Sequence, residues 1–221
     1  MNKYDYLDAM GIDIWQQRSA QPNDAPTIYQ QPVDASAWNA LQNKVAGCTL
    51  CALSQSRTNT VFGTGNPQAD LMIIGEAPGA DEDKQGKPFV GRAGKLLTEM
   101  LKAIGLSRET VFIANILKCR PPNNRDPDPN EVRSCTPYLQ QQINFIQPKL
   151  IVALGRIAAQ FLLDTNASLG SMRGRIHQYG EQNTPLLITY HPAYLLRSPG
   201  QKVKSYEDLR QINQLITQPS A

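Results

Sequence analysis

The stretch DLMIIGEAPGADEDKQGKPFVG, residues 70–91, joins a short apolar run to a glycine- and proline-rich turn, and it decides the fold. Leu71 to Ile74 are apolar without alternation, the mark of a short strand buried on both faces. Gly75, Pro78, Gly79, Gly86, Pro88 and Gly91 then fix a non-regular backbone that can approach a ligand closely. Further along, the same unit recurs. A helical pattern over Ala93–Ile104 leads to a strand at Val111–Ala114, and a helix over Asn130–Ile146 leads to one at Leu150–Leu154. A helix over Arg156–Leu163 precedes a strand at Leu186–Thr189, and a last helix covers Tyr206–Ile216. Strands alternating with helices predict an α/β fold, a short parallel sheet flanked by helices on both faces. Ligands of such sheets bind beyond the carboxyl ends of the strands. Gly75–Gly79, Asn115, Gly155-Arg156 and Tyr190-His191-Pro192 leave those ends.

Upstream, Leu7, Met10 and Ile14 repeat at helical spacing within residues 3–18, and residues 19–32 are rich in Pro, Gln and small polar side chains. This predicts an N-terminal peptide (1–18), a flexible linker (19–35) and one globular domain (36–221), whose first helix starts at Ser36. The 221 residues are 41% hydrophobic and 19% charged, with net charge +3, an ordinary globular composition. No apolar run approaches the roughly 20 residues of a membrane span. The first 14 residues carry Asp5, Asp8 and Asp13 and no basic start before an apolar block, so a cytoplasmic location is expected.

In a reducing compartment the four cysteines, Cys48, Cys51, Cys119 and Cys135, point to metal binding or plain burial rather than disulfides. Cys48-x-x-Cys51 is a two-ligand turn, while Cys119 and Cys135 are single residues. That 2+1+1 spacing favours a metal over unligated thiols but hardly separates an iron–sulfur cluster from zinc.

Other side chains allow a chemical and a plainer reading. Glu76 and Glu82 are carboxylates able to orient or deprotonate a water, or solvated acids of a surface turn. Phe89 is a stacking platform for a flat ring, or a core residue. Asn115 offers one acceptor and two donors to the edge of a base, or caps a turn. His191 can donate a hydrogen bond to developing negative charge, or sit satisfied in a packing loop. Ala193-Tyr194-Leu195-Leu196 reads as an apolar loop wedge that could enter a duplex. Lys84, Lys87, Arg92, Lys95, Lys118, Arg120, Arg125, Arg173, Arg175, Arg197, Lys202 and Lys204 cluster near these turns as a phosphate-facing rim, or are scattered surface charge.

Taken together, CTLC (48–51), GEAPGADEDKQGKPFVGRAGKLL (75–97), NILKCRPPNNRDPDPNEVRSC (115–135) and ITYHPAYLLR (188–197) resemble the family 4 uracil-DNA glycosylases. The resemblance runs from about Ala37 to Ile216. It implies the uracil-DNA glycosylase fold, hydrolysis of the N-glycosidic bond of uracil in single- or double-stranded DNA to leave an abasic site, and a 4Fe–4S cluster on Cys48, Cys51, Cys119 and Cys135. By the same resemblance Glu76 activates the water, Glu82 orders the pocket and Ala77 helps line it. Phe89 stacks on the flipped uracil, Asn115 reads its edge, and His191 stabilises charge on the leaving base. Tyr194, Leu195, Leu196 and Arg197 form the DNA-penetrating loop. The related branch that traps DNA carries an extra histidine after the second strand; residues 119–129 have none, which favours ordinary turnover. Tyr6 to Trp15 is similar to the N-terminal peptide of the psi subunit of the bacterial replicative polymerase, which implies a replisome partner bound through residues 1–18. A monomer is expected. A DNA-binding or replisome adaptor with little turnover is the competing reading, and Glu76, Asn115 and His191 together favour the enzyme. A redox sensor is weaker, since no cysteine is left over to react.

Overall fold

The computed structural model of the chain describes residues 34–217. The predicted N-terminal peptide and most of the linker lie outside the described residues. In chain order the elements are helices α1 (Ala35–Ala46) and α2 (Leu53–Ser56), strands β1 (Thr64–Gly65) and β2 (Leu71–Gly75), and helices α3 (Ala80–Gln85) and α4 (Arg92–Lys102). Strand β3 (Phe112–Asn115), helix α5 (Pro129–Ile146), strand β4 (Leu150–Leu154) and helices α6 (Arg156–Leu163) and α7 (Leu169–Met172) follow. Strands β5 (His177–Tyr179) and β6 (Thr184–Thr189) and helices α8 (Pro192–Arg197) and α9 (Lys202–Thr217) complete it.

The sheet order is β1-β3-β2-β4-β6-β5. The four strands read from apolar runs are the parallel centre. The expected short parallel sheet is extended at both edges by strands not read from sequence, β1 and β5, which pair antiparallel. Those two strands are two and three residues long and carry no apolar run, so their sequence gave no signal. Alternate residues of the central strands serve opposite faces. Met72, Ile74, Phe112, Ala114, Ile151, Ala153, Leu186 and Ile188 join one core with residues of α1, α5 and α6. Leu71, Ile73, Ile113, Leu150, Val152, Leu154 and Leu187 join the other with residues of α4 and α9. Burial on both sides is why these strands are continuously apolar.

Helix termini are fixed by local chemistry. Asp34 Oδ1 accepts from Ser36 N–H at 2.9 Å and caps α1, whose first residue, Ala35, lies one before the expected start. In α5, Asp128 Oδ1 accepts from Asn130 N–H at 2.8 Å while Glu131 Oε2 accepts from Asp128 N–H at 2.9 Å, a reciprocal cap with Pro129 at the first position. No helix among the described residues is long and apolar enough to cross a membrane.

From β2 the chain goes to β3 on one side, and β4 lies on the other. That reversal opens a crevice at the carboxyl ends of the strands, the place where ligands bind in open α/β sheets.

Candidate active site

The crevice is a cavity of about 440 Å³ whose lining includes Glu76, Ala77, Glu82, Phe89, Asn115, His191 and Arg197, seven residues singled out from sequence. Pro121, Asn124, Arg125 and Asp126, from the segment between β3 and α5, also line it. Arg125 is expected from sequence only in the basic rim, and the other three are not singled out at all. They lie in a Pro-, Asn- and Asp-rich stretch without periodicity, so only the position of that stretch after a strand could have pointed to them.

Glycines let the side chains converge. A Cβ on Gly75 would collide with Asn115 Oδ1 and with the ring of Phe89, so β2 must end in glycine for the two to meet. Gly155, with φ +88°, is the corresponding seat for His191, whose Cβ would stand 2.9 Å from a side chain there. Phe89 itself has φ +54°, a left-handed backbone that costs a bulky residue of order 1–3 kcal/mol. Its ring centroid lies 5.7 Å from that of His191, tilted by 35°.

Asn115 is buried, and its Oδ1 is the one buried side-chain N or O atom among the described residues without a hydrogen-bond partner. A buried amide oxygen left unpaired costs about 1–3 kcal/mol, which a ligand N–H would recover. Its backbone is held from behind: buried Lys118 Nζ donates to Asn115 O at 2.8 Å and to Gln142 Oε1 at 2.6 Å, and Gln142 Nε2 donates to Phe62 O at 2.8 Å.

The carboxylates divide their roles. Glu82 Oε1 accepts from the N–H groups of Val90 (2.9 Å) and Gly91 (3.1 Å), and Oε2 accepts from Gly79 N–H (3.1 Å). It is thereby committed to ordering the turn, not to deprotonating water. Glu76 is pushed up to about 7 by burial and by the nearby Asp126, against a smaller opposing pull from Arg156. It is therefore poised to exchange a proton near neutrality. Burial pushes His191 down to about 4, with Arg197 adding to the fall and Glu82 opposing it, so the ring is neutral at pH 7. Its Nδ1 accepts from Ala193 N–H at 3.1 Å.

Two expectations are corrected. Ala193–Leu196 are not an apolar loop: Pro192–Arg197 form α8, capped by His191, and Leu195 is buried in the core with 1% exposure. Of the three apolar side chains at 194–196 only Tyr194 and Leu196 remain exposed, because one turn of helix cannot turn three successive side chains the same way, and Arg197 is exposed beside them. The basic rim is also thinner than expected. Lys118 is buried, Arg173 is paired with Asp208 at 2.7 Å, and Arg125 is paired with Glu131 at 2.5 Å.

The four cysteines form a second centre. Cys119 and Cys135 are buried in one core, Cys48 and Cys51 pack against it, and all four are free thiols. Cys119 is pushed up by burial, pulled back by the Arg57 guanidinium that donates to its Sγ at 3.2 Å, and raised again by Cys51 and Cys48. Burial takes Cys135 up to about 11, with the Lys118 N–H opposing and Cys119 and Cys51 adding to the rise. Each thiol thus lies within electrostatic reach of others. Among the described residues, no three His, Cys, Asp or Glu side chains are drawn in around one ion-sized point.

The uracil DNA glycosylase superfamily matches residues 62–217. The chain is 46% identical to a type-4 uracil-DNA glycosylase of Sulfurisphaera tokodaii, over 81% of this chain and 84% of that protein. It is 44% identical to one of Archaeoglobus fulgidus, over 78% and 89%, and 43% identical to one of Thermotoga maritima, over 80% and 93%.

Proposed function

The chain belongs to the uracil-DNA glycosylase superfamily and, within it, to the type-4 uracil-DNA glycosylases; from that premise we propose that it hydrolyses the N-glycosidic bond of uracil in DNA as a monofunctional repair enzyme. The observation that carries this reading is the unpartnered Asn115 Oδ1, buried in the same cavity as Glu76, Phe89 and neutral His191.

Uracil flipped from the strand stacks on Phe89, and its N3–H supplies the donor that Asn115 Oδ1 lacks. The glycosidic bond breaks with its electron pair passing to N1 of the base, and the charge spreads to the base carbonyl. His191 donates through Nε2 to that carbonyl while remaining neutral. Glu76 takes a proton from the water that adds to C1′, and the uracil anion is protonated at N1 from solvent, leaving free uracil and an abasic sugar. Ala77 helps line the pocket, and Arg197 sets positive charge at its rim. Tyr194 and Leu196 are the exposed apolar groups beside it, suited to fill the gap left in the strand. Flipping costs a few kcal/mol and least for unpaired bases, so uracil in single strands or opposite guanine is favoured.

Cys48, Cys51, Cys119 and Cys135 would hold a 4Fe–4S cluster. The donor set fits: four free thiols from three stretches of chain, two buried and two half-buried against the same core, with Arg57 donating a hydrogen bond to Cys119 Sγ. When bound, the cluster supplies a cross-link among the segment after α1, the turn after β3 and α5.

The test is incubation of the holoprotein with an oligonucleotide carrying one uracil, followed by alkaline cleavage. Strand scission at uracil in single-stranded and U·G substrates supports the enzyme. No scission in any context, from protein that binds the DNA, replaces it with the adaptor reading.

A further inference from the structure

The peptide groups of residues 88–91 are pinned from two sides. Glu82 takes the N–H groups of Val90 and Gly91. From the turn between α4 and β3, Arg108 takes the carbonyls: Nη2 donates to Pro88 O at 2.7 Å and Nη1 to Phe89 O at 3.1 Å. A third restraint is Gly94, where any Cβ would overlap the Phe89 carbonyl. Between these ties sits Phe89 with its left-handed backbone, 7% exposed, its ring closing the space beside Gly75 and His191. Strain of that kind persists only where its surroundings over-determine it. Glu82 and Gly94 belong to the same stretch of chain as Phe89. Arg108 is the tie from outside, and its planar fork suits two successive carbonyls in a way an ammonium does not.

We propose that Arg108 is a positioning residue for base recognition: by bridging the Pro88 and Phe89 carbonyls it holds Phe89 in its left-handed conformation and so sets the pocket face on which uracil stacks. The proposal rests on the reading of the site as a uracil pocket. Arg108 touches no reacting atom and acts only through Phe89, so its removal should be felt by the base and not by the DNA backbone.

The experiment uses the full-length holoprotein with Arg108→Ala, Arg108→Lys, Phe89→Ala and the Arg108→Ala/Phe89→Ala double variant. It measures uracil excision, inhibition by free uracil, affinity for uracil-free DNA, and amide hydrogen exchange at Val90 and Gly91. Arg108→Ala should weaken both excision and uracil inhibition by roughly ten- to a hundredfold, the scale of a small misplacement of a binding group. Affinity for uracil-free DNA should hold, and Val90 and Gly91 should exchange faster. The double variant should match Phe89→Ala within about twofold, since the two residues act as one unit. Arg108→Lys, still able to reach one carbonyl, should recover part of the loss and guards against a variant that fails to fold. An undiminished effect of Arg108→Ala in the Phe89→Ala background, or an equal loss of affinity for uracil-free DNA, overturns the proposal. If wild type itself leaves uracil untouched, the uracil reading fails. The exchange rates then judge Arg108 alone, faster exchange upholding the clamp and unchanged exchange refuting it.

Discussion

The Nδ1 atom of His191 accepts a hydrogen bond from the backbone N–H of Ala193 at 3.1 Å, which leaves Nε2 as the ring's only donor. The same contact caps α8, so the helix that carries Tyr194 and Leu196 also fixes the tautomer of the residue beside the base. A neutral imidazole held this way polarises a carbonyl without having to shed charge afterwards. His191→Ala should lower the rate of uracil excision by about a hundred- to a thousandfold, as loss of one preorganised donor does elsewhere. Single-turnover rates check it; a loss confined to KM would argue for a binding role only.

The pH dependence follows from two groups displaced in opposite directions. Glu76 must be ionised to take a proton, and it is pushed up to about 7. His191 must be neutral, and it is pushed down to about 4. Activity is therefore full above pH 7 and falls as pH drops through 7 with the protonation of Glu76. His191 takes its proton only near 4, too low to add a second limb. Asp126 raises Glu76, so Asp126→Asn should move the limb to lower pH; Arg156 lowers it, so Arg156→Ala should move the limb up. Profiles of kcat/KM from pH 5 to 9 decide, and a shift of opposite sign in either variant would remove Glu76 from the role of base.

Asn115 offers a test that separates base reading from DNA binding. Asn115→Ala removes the acceptor proposed for uracil N3–H, and leaving that donor unpaired in a buried site costs about 1–3 kcal/mol. Excision should fall correspondingly while affinity for uracil-free DNA stays at the wild-type value in a gel-shift titration. The free protein should not be destabilised by the lost oxygen, since Oδ1 has no partner there.

The two leucines of α8 should part company. Leu195 is 1% exposed, so Leu195→Ala should cost about 2–5 kcal/mol of stability in a denaturant titration. Leu196 is 38% exposed, and Leu196→Ala should leave stability unchanged while reducing excision from duplex more than from single strands. Equal losses on both substrates would deny Leu196 a place in the duplex.

For the cysteine centre, serine at Cys48, Cys51, Cys119 or Cys135 should abolish the visible absorbance and iron content of anaerobically purified protein. Arg57→Ala should keep both but lose iron faster to a chelator, because the guanidinium hydrogen-bonds Cys119 Sγ at 3.2 Å. Full iron content in a Cys135→Ser variant would take that thiol out of the ligand set.

Buried periodicity made the fold legible. The runs at Leu71–Ile74 and Leu150–Leu154 are strands because both faces are covered, and that leaves a sequence signal. Edge strands Thr64–Gly65 and His177–Tyr179 are half solvated and two or three residues long, so they leave none. The pocket was legible where strands end, as at Glu76, Asn115 and His191. What escaped were the relations across the fold: Arg108 reaching the Phe89 carbonyl, Asp126 beside Glu76, and Lys118 turned inward behind Asn115. A lysine fourth in the string that starts at Asn115 looks like surface charge until a buried glutamine is found facing it. Leu195 and Leu196 are adjacent and chemically alike, and only the helix decides which one is core.

The most direct measurement is the release of free uracil. Holoprotein would be incubated with single-stranded and U·G duplex oligonucleotides, and both free uracil and abasic sites quantified for wild type, Glu76→Gln and Asn115→Ala. The account predicts equimolar uracil and abasic sites from wild type, with both products depressed together in each variant. Abasic sites without free uracil, or wild-type release that neither substitution slows, would contradict it.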